Sequence, residues 1–374
     1  MGGQQIEWWH LGERPQKEGD TILRRFNYID LVLWLFRIGI IGIVLWGMIG
    51  KFILGVGNSY TVSDWLDFFV SGLSQGSLYA LIALGYTMVY GVLFMINFAH
   101  GEFFMAGAMS STVLVALPLE NAGYTDSHPL LSLLAIFVSA ILMSVIVAVL
   151  TERVAYRPLR NAPRLVPLIT AIGASFFWQY YFRGLYGSSL IPFPEFAMFD
   201  GKVEFLGLDF QKADIAVILT SLIVMIGLQQ FVQRTKTGRA IRAVAENKDA
   251  ATLMGIDVNR TITITFIVGA AMAGVAGVLY SIVFRQLNFV MGFIPGIKAF
   301  TAAVLGGIGS IPGAALGGLF LGVIEAIGPP LFLEGLGVAG SHQLKDVIAF
   351  TMLVLVLIFR PQGIIGERLA EKKA

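Results

Sequence analysis

Ten long apolar stretches constrain what this chain can fold into more than any other feature of its sequence. They cover approximately residues 29–53, 65–89, 98–118, 130–151, 165–183, 213–233, 261–283, 296–309, 312–331 and 343–360. A membrane-spanning helix needs about 20 mostly apolar residues, and all but the eighth stretch come close to that length. The eighth is short and rich in glycine, so it predicts a half-span. The pattern therefore predicts an all-α, polytopic helical membrane protein with about ten transmembrane helices.

The composition excludes an ordinary soluble domain. Charged residues make up 13% of the chain and the mean hydropathy is +0.77, whereas soluble domains carry roughly 25% charged residues. The net charge of +2 gives no support for a nucleic-acid partner. Membrane lipid is the partner that this composition predicts. The chain contains no cysteine, which excludes disulfides, thiolate metal sites and cysteine nucleophiles.

Basic residues are distributed unevenly between the segments that join the apolar stretches. If the N-terminus is cytoplasmic and the spans alternate, the outer segments hold only Arg183, Lys202, Lys212 and Arg285. The inner segments hold Arg14, Lys17, Arg24, Arg25, Arg153, Arg157, Arg160, Arg164, Arg234, Lys236, Arg239, Arg242, Lys248, Arg260, Arg360, Arg368, Lys372 and Lys373. Because lysine and arginine near span ends concentrate on the cytoplasmic side of membranes, we expect both termini to be cytoplasmic.

A polar, amphipathic stretch separates the sixth and seventh apolar stretches. Residues 238–260 begin with basic residues, among them Arg239 and Arg242, and continue with good helix formers. Gly255 is placed as a helix-ending glycine, and Ile256 leads towards the next span. We predict a short helix held between two membrane spans, in a position where another protein can grip it.

Several positions in this stretch resemble the "EAA…G" coupling loop of bacterial ABC-importer permeases: Glu246, Ala250, Ala251, Gly255 and Ile256. Residues 85–108 and 298–326 resemble the H-type permease subunit of branched-chain amino-acid importers. The resemblance extends from about residue 72 to residue 366. It implies an importer subunit of the bacterial plasma (inner) membrane, with the 234–260 segment as a cytoplasmic coupling loop.

The same resemblance implies the partners. These are two separate ATP-binding ABC subunits, a second homologous permease, and a periplasmic or extracellular solute-binding protein that docks on the outer loop 184–212. The implied substrates are leucine, isoleucine and valine, but importers of urea and short-chain amides have permeases of the same family, so that alternative stays open. The chain divides into an N-terminal extension with one extra transmembrane helix (1–60), a permease domain (61–366) and a cytoplasmic tail (367–374). The extra helix is either a signal anchor or a contact to a partner permease.

No motif in the sequence supports an enzyme. A GxxxxGK[ST] phosphate loop and HExxH are both missing, so we expect no cofactor and expect ATP hydrolysis on a separate subunit. A stand-alone secondary transporter is the alternative of a different class. It would require two broken helices in matching positions, and residues 306–312 and 91–101 are the two candidate breaks.

Polar residues within the apolar stretches are the candidates for a substrate pathway or gate. Asn97, His100 and Glu102 follow the second stretch closely and predict either a gate at the cytoplasmic mouth or a turn in which Asn97 caps the third helix. One histidine and one glutamate two residues apart do not share a helix face, so a metal site is not expected. Gln75 lies either on the substrate path or in an interhelical hydrogen bond.

Two further features concern packing inside the membrane. Glu325 is a lone carboxylate that needs a wet cavity or a cation, with Lys298 or Lys345 as the candidate partner. Gly309, Gly313 and Gly317 recur at four-residue spacing. Such spacing lets helix backbones approach closely in lipid, so these glycines predict tight helix packing within the chain or against a second permease.

Overall fold

The computed structural model describes residues 28–160, 162–163, 165–205, 208–360 and 362–365, and this part of the chain is almost entirely helical. The N-terminal 27 residues, with Arg24 and Arg25, and the predicted tail 367–374 lie outside the described residues. The helices are α1 (Tyr28–Phe52), α2 (Val62–Leu93), α3 (His100–Ser111), α4 (Leu117–Asn121), α5 (Tyr124–Ser127), α6 (Pro129–Thr151), α7 (Leu165–Tyr186), α8 (Lys212–Arg234), α9 (Lys236–Glu246), α10 (Lys248–Leu253), α11 (Val258–Phe284), α12 (Phe293–Gly306), α13 (Ile311–Gly328) and α14 (Lys345–Phe359).

Single π-helical turns extend three of the spans: Thr112–Ala116, Glu152–Tyr156 and Pro329–Leu333. Within the described ranges, nine helical stretches are long and apolar enough to cross a membrane, and α12 is a shorter apolar helix. This confirms the prediction of a polytopic helical membrane protein with a short eighth span. The core lies along α2, α3 and α11, whose side chains are mostly buried, whereas α1 and α14 are largely exposed.

Two breaks in the helices share three residues and several backbone features. Each consists of Asn-Phe followed by glycine three residues after the phenylalanine, at 97–101 and at 288–292. The helix before each break ends on a left-handed residue with φ of 55°, Phe94 and Arg285 respectively. In each, the asparagine Oδ1 accepts a hydrogen bond of 3.1 Å from the backbone N–H two residues later. The stretches therefore form an internal repeat, which the sequence analysis did not find.

The packing of the helices obeys the same repeat. α2 packs along α13 as α11 packs along α6, and α3 packs on α6 as α12 packs on α13. Four apolar spans lie between α2 and α11, so the two repeats run in opposite directions through the bundle. Gly101 and Gly292 meet at the centre: a Cβ atom on either would lie 2.3 Å from the carbonyl oxygen of the other. This contact marks the pseudo-two-fold axis between the repeats.

The helix after the first break begins inside the bundle. A Cβ atom on Gly85 would lie 2.2 Å from the His100 Nε2 atom, so His100 packs directly on that position of α2. Gly85 lies eight residues before the end of α2 at Leu93. At 1.5 Å per residue, α3 therefore starts about 12 Å inside the end of α2.

Close glycine contacts hold α13 against its neighbours. A Cβ atom on Gly322 would lie 2.3 Å from the Gly76 backbone of α2, and one on Gly317 would lie 2.2 Å from the Ala302 carbonyl oxygen of α12. Gly313 packs similarly on Gly306. The prediction that Gly309 shares this helix face is wrong, because Ser310 caps α13 and the helix begins at Ile311. Gly309 instead occupies the turn before it, with φ of 100°.

The extra first helix is packed tightly against the bundle at one end. A Cβ atom on Gly47 would lie 2.4 Å from the Phe332 carbonyl oxygen, and one on Gly50 would lie 2.1 Å from that of Gly335. Next to these contacts, Lys51 donates to Glu334 at 2.7 Å. Two short antiparallel strand pairings cover the same end of the bundle: β1 (Ile191–Pro192) with β4 (Gln286–Leu287), and the hairpin of β2 (Lys202–Phe205) with β3 (Leu208–Gln211).

Candidate functional site

The segment between α8 and α11 forms two short helices, not the single helix predicted. Asn247 adopts an extended conformation between α9 and α10, and its side-chain oxygen accepts hydrogen bonds from the Asp249 and Ala250 N–H groups. Thr235 caps α9 by accepting from the Gly238 N–H at 2.9 Å. The chain divides here because an asparagine N-cap offers the backbone an alternative to continuing the helix.

The amphipathic α9 buries one face against the membrane bundle. Gly238, Ile241 and Val244 are buried, and α9 packs on α8, α11 and the end of α2. A Cβ atom on Gly238 would lie 2.3 Å from the Val232 carbonyl oxygen, so the backbones of α9 and α8 are in direct contact. The segment is therefore an attached part of the bundle, and a force applied to it reaches three membrane helices.

Most of the predicted coupling residues are accessible: Arg239, Arg242, Glu246, Ala250 and Gly255 are exposed, and Ile256 is half-buried. Gly255 ends α10 with φ of 80°, as a helix-terminating glycine does. Just before it, Leu253 and Met254 are 89% and 82% exposed, higher than any other exposed large hydrophobic side chain in the described ranges. These two were not among the predicted coupling residues, although a Leu-Met pair directly before a helix-ending glycine was a usable signal.

Lys248 connects this segment to the first helix break. Its Nζ atom lies 5.7 Å from the centre of the Phe94 ring, and Phe94 is the left-handed residue that ends α2. Burial and the nearby Arg160 guanidinium lower the pKa of Lys248 below that of an ordinary lysine. Arg160 in turn pairs with Glu152 and hydrogen-bonds to Asn259 at the start of α11. Lys248 thus joins the segment to the end of α2, and Arg160 separately joins the end of α6 to the start of α11.

Asn97, His100 and Glu102 are all buried, but they do not form one site. Asn97 accepts hydrogen bonds from the Tyr156 hydroxyl and the Ala99 N–H. The prediction that Asn97 caps the third helix is wrong, because Ala99 occupies the N-cap position and α3 starts at His100. His100 packs its ring against Tyr86, with 4.8 Å between ring centroids.

Glu102 has partners from a different helix. Its Oε1 atom accepts hydrogen bonds from Ser175 at 2.8 Å and Gln179 at 2.7 Å, both on α7. This carboxylate therefore joins α3 to α7. Among the described residues, no group of three or more histidine, aspartate or glutamate side chains is arranged to hold a metal ion.

The second buried polar group joins four helices. Lys298 on α12 pairs with Glu325 on α13 and, at 2.6 Å, with Asp346 on α14, and it lies 3.4 Å from the Tyr79 hydroxyl of α2. Of the two lysines expected as partners for Glu325, the structure places Lys298 there. The role of Asp346 was not foreseen. Gln75 is half-buried on α2, next to the tightly packed Gly76.

Comparison with known proteins identifies the family. Residues 68–357 match the family model described as branched-chain amino acid transport system, permease component. The permease protein BraD of a high-affinity branched-chain amino acid transport system in Pseudomonas aeruginosa is 46% identical over 314 residues, which cover 83% of this chain and 99% of that protein. The corresponding LivH of Escherichia coli K12 is 43% identical over 307 residues, covering 81% and 96%.

A solved structure, PsaBC from Streptococcus pneumoniae in complex with Fab, matches with a TM-score of 0.43 at 12% identity, covering 81% of this chain and 97% of that one. The family match begins after α1, so the first helix lies outside it. The matched region contains both copies of the repeat, the two buried polar groups and the α9–α10 segment. The chain therefore belongs to the family of branched-chain amino acid transport permeases.

Proposed function

We propose that this multi-pass membrane protein is the permease subunit of an ABC importer that moves branched-chain amino acids into the cytoplasm. The observation that carries the proposal is the α9–α10 segment. It presents Arg239, Arg242 and Glu246 on an exposed side, while its other side packs on three membrane helices. A free-standing transporter has no use for such an exposed, rigidly attached element.

The proposed assembly contains two copies of a separate ATP-binding subunit, a second permease of the same family and a solute-binding protein. ATP hydrolysis belongs to the ATP-binding subunits. In this assembly the α9–α10 segment and both termini face the cytoplasm of a bacterium, and the loop 184–212 faces outward, where the solute-binding protein docks. The excess of lysine and arginine on one side of the predicted spans supports this orientation.

The contacts suggest how movement is passed on. When the ATP-binding subunits close, they displace α9–α10, and the tight Gly238 contact carries the displacement to α8. Lys248 carries it to the end of α2, and the packing of α9 and α10 on α11 carries it to the start of α11. Each of these two helices leads into a break and then into α3 or α12, so the movement reaches the centre of the bundle.

Two substitutions test the coupling. Glu246→Lys reverses a charge on the exposed side of α9, and Gly255→Pro imposes a negative φ where the backbone needs 80°. In proteoliposomes containing the whole importer, we expect either change to lower ATP-driven leucine uptake at least roughly tenfold, the effect of losing about 1.4 kcal/mol of coupling. Membrane insertion is measured in parallel and is expected to stay intact.

Glu120→Lys is the matched control, because Glu120 is exposed on α4, outside the coupling loop. Uptake by this variant should equal that of the wild type. Wild-type uptake by both coupling variants would show that the α9–α10 segment does not couple the ATP-binding subunits to transport.

A further inference from the structure

The short segment after α14 returns to the end of α12. The Ile364 N–H donates to the Leu305 carbonyl oxygen at 2.8 Å, and the Ile365 N–H donates to that of Gly306 at 3.0 Å. A Cβ atom on Gly363, which has φ of 77°, would lie 2.5 Å from the Gly307 Cα atom, so the two backbones are in direct contact. We call residues 363–365 the strap, because they bind the last turn of α12 from outside the helix.

The strap completes the hydrogen bonding of α12. The last four carbonyl groups of a helix have no partners within it. In α12, the carbonyl oxygens of Ala303 and Val304 accept from the Gly307 N–H, and those of Leu305 and Gly306 accept from the strap. Leu305 and Gly306 are buried, and buried carbonyl groups without partners are costly. The present position of this helix end therefore depends on the strap.

The turn beyond α12 can act as a hinge, and the strap is its weakest restraint. Gly307 and Gly309 both have positive φ, 107° and 100°, which glycine adopts without steric cost. Gln362, Ile364 and Ile365 are exposed. Release of the strap breaks two hydrogen bonds and uncovers little apolar surface, because its isoleucines are already exposed. Contacts of this kind are the first to open in a folded protein.

At the same end, α12 closes the bundle against the first helix break. Ala303 and Ile308 line one wall of a cavity between them, and Met95 and Asn97 line the other. The cavity measures only about 10 Å³, which leaves room for about one water molecule. An amino acid cannot pass here unless α12 and the break move apart.

We propose that the strap is a latch for a cytoplasmic gate between α12 and the first helix break. While the strap is bound, α12 is held against the break and the gate is closed. The α9–α10 segment contacts the same break, because Lys248 lies over the Phe94 ring. Its displacement during the ATP cycle moves the break, the strap detaches, and α12 turns at Gly307 and Gly309. The inference rests on the proposed importer function for its orientation and its driving force.

Buried reporters on α12 test the latch, since the chain has no cysteine of its own. Ala303→Cys places a thiol in the cavity wall, and Ala302→Cys places one on the same helix at a buried position that does not line the cavity. The rate of reaction with a water-soluble methanethiosulfonate reagent is measured in the complete importer in nanodiscs without ATP. Both positions should react slowly. Met95→Cys on the opposite wall replaces Ala303→Cys if that variant fails to assemble.

Two variants detach the strap by different means. Ile364→Pro removes the N–H that donates to Leu305, and Gly363→Ala forces a side chain into a backbone contact at a φ that favours glycine. We expect each to raise the labelling rate at position 303 at least about tenfold, equivalent to about 1.4 kcal/mol, and to leave that at position 302 unchanged.

Ile364→Ala is the matched control, because it keeps the N–H and shortens only an exposed side chain. Its labelling rate at position 303 should stay within about twofold of the wild type. Ending the chain after Gln362 should act like Ile364→Pro, whereas ending it after residue 366 keeps the strap and should have no effect. Unchanged labelling at position 303 in both strap variants would overturn the latch. Equal acceleration at positions 302 and 303 would also overturn it, because the strap would then only stabilise α12 as a whole.

Leucine import separates this inference from the proposed function. With the solute-binding protein and ATP, the wild-type importer should take up leucine, and labelling at position 303 should accelerate at least about threefold during turnover. Import without that acceleration refutes the latch alone. Absence of import refutes the function on which the orientation rests, whereas the effect of Ile364→Pro in the resting complex is measured without any transport.

Discussion

Gly101 and Gly292 touch backbone to backbone, and neither position has room for a side chain. Other single residues are constrained by charge: Lys298 is buried in contact with Glu325, and both lie among apolar helices. The sequence alone identified Glu325 as a residue in need of a cation. It did not identify Asp346 as a second partner, because the depth of α14 relative to α12 depends on packing that no local pattern records.

A methyl group at the centre of the repeat should destabilise the protein. Gly101→Ala would place its Cβ atom 2.3 Å from the Gly292 carbonyl oxygen, and such overpacking costs typically about 1–3 kcal/mol. We expect a lower apparent unfolding temperature in nanodiscs. Gly173→Ala on the exposed face of α7, where no atom lies within 4 Å, should not lower it. Equal stability of the two variants would contradict the close contact.

Removal of the buried lysine should cost more. Lys298→Met leaves the Glu325 carboxylate buried without a cation, and breaking a buried ion pair in this way costs about 3–5 kcal/mol. Lys345→Met removes the other candidate cation, which forms no salt bridge with the described residues. We expect thermal unfolding of the first variant at a clearly lower temperature than the second. The reverse order would show that Lys345, and not Lys298, neutralises Glu325.

At the scale of elements, the apolar spans were predictable because hydrophobic length in a membrane protein leaves few alternatives. The short α12 and the break before α13 followed from glycine content. The division of the coupling segment at Asn247 was missed, since the surrounding residues all favour helix. The internal repeat was also missed, because the two breaks have only Asn-Phe and one glycine in common. Its significance appears only when Gly101 and Gly292 are seen in contact.

The attachment of α1 depends on pH in a defined direction. Burial opposes the charge on Glu334, but hydrogen bonds from Lys51 and Tyr60 outweigh it, so the pKa of this carboxyl lies below its usual value of 4.5. A depressed pKa adds stability at pH values above the usual one, and that stability is lost as the pH falls through the folded-state pKa. Glu334→Gln should therefore lower the unfolding temperature at pH 7, with the difference disappearing at acidic pH.

The control for Glu334→Gln is a variant that leaves the Lys51–Glu334 ion pair in place. Glu120→Gln removes an exposed carboxylate that forms no salt bridge with the described residues and should behave as the wild type at both pH values. A difference between wild type and Glu334→Gln that stays constant down to strongly acidic pH would mean that the Glu334 charge does not hold α1.

For the whole molecule, the described residues form a bundle in which two oppositely directed repeats share a core and α9–α10 lies at one end. The distribution of basic residues predicts which end is cytoplasmic, although the fold itself is compatible with either orientation. Family membership could be anticipated from residues 85–108 and 298–326. The buried contact between Lys298 and Tyr79 could not, because the two residues are 219 positions apart in the chain.

Single introduced cysteines test the orientation, since the chain has none of its own. Met198→Cys lies in the outer loop and Leu253→Cys at the exposed end of α10. We expect a membrane-impermeant maleimide to label the first in intact cells and the second only after the membrane is opened. The opposite result would show that the α9–α10 segment faces outward, and the coupling assignment would then be wrong.

The surface that binds α1 also determines when this helix reaches its final position during synthesis. The Lys51 partner, Glu334, follows it by 283 residues, and the carbonyl groups against Gly47 and Gly50 belong to the same late segment. Synthesis proceeds at roughly 5–20 residues per second, so α1 waits on the order of tens of seconds for its binding surface. Helices made after α1 can therefore reach their final places before it.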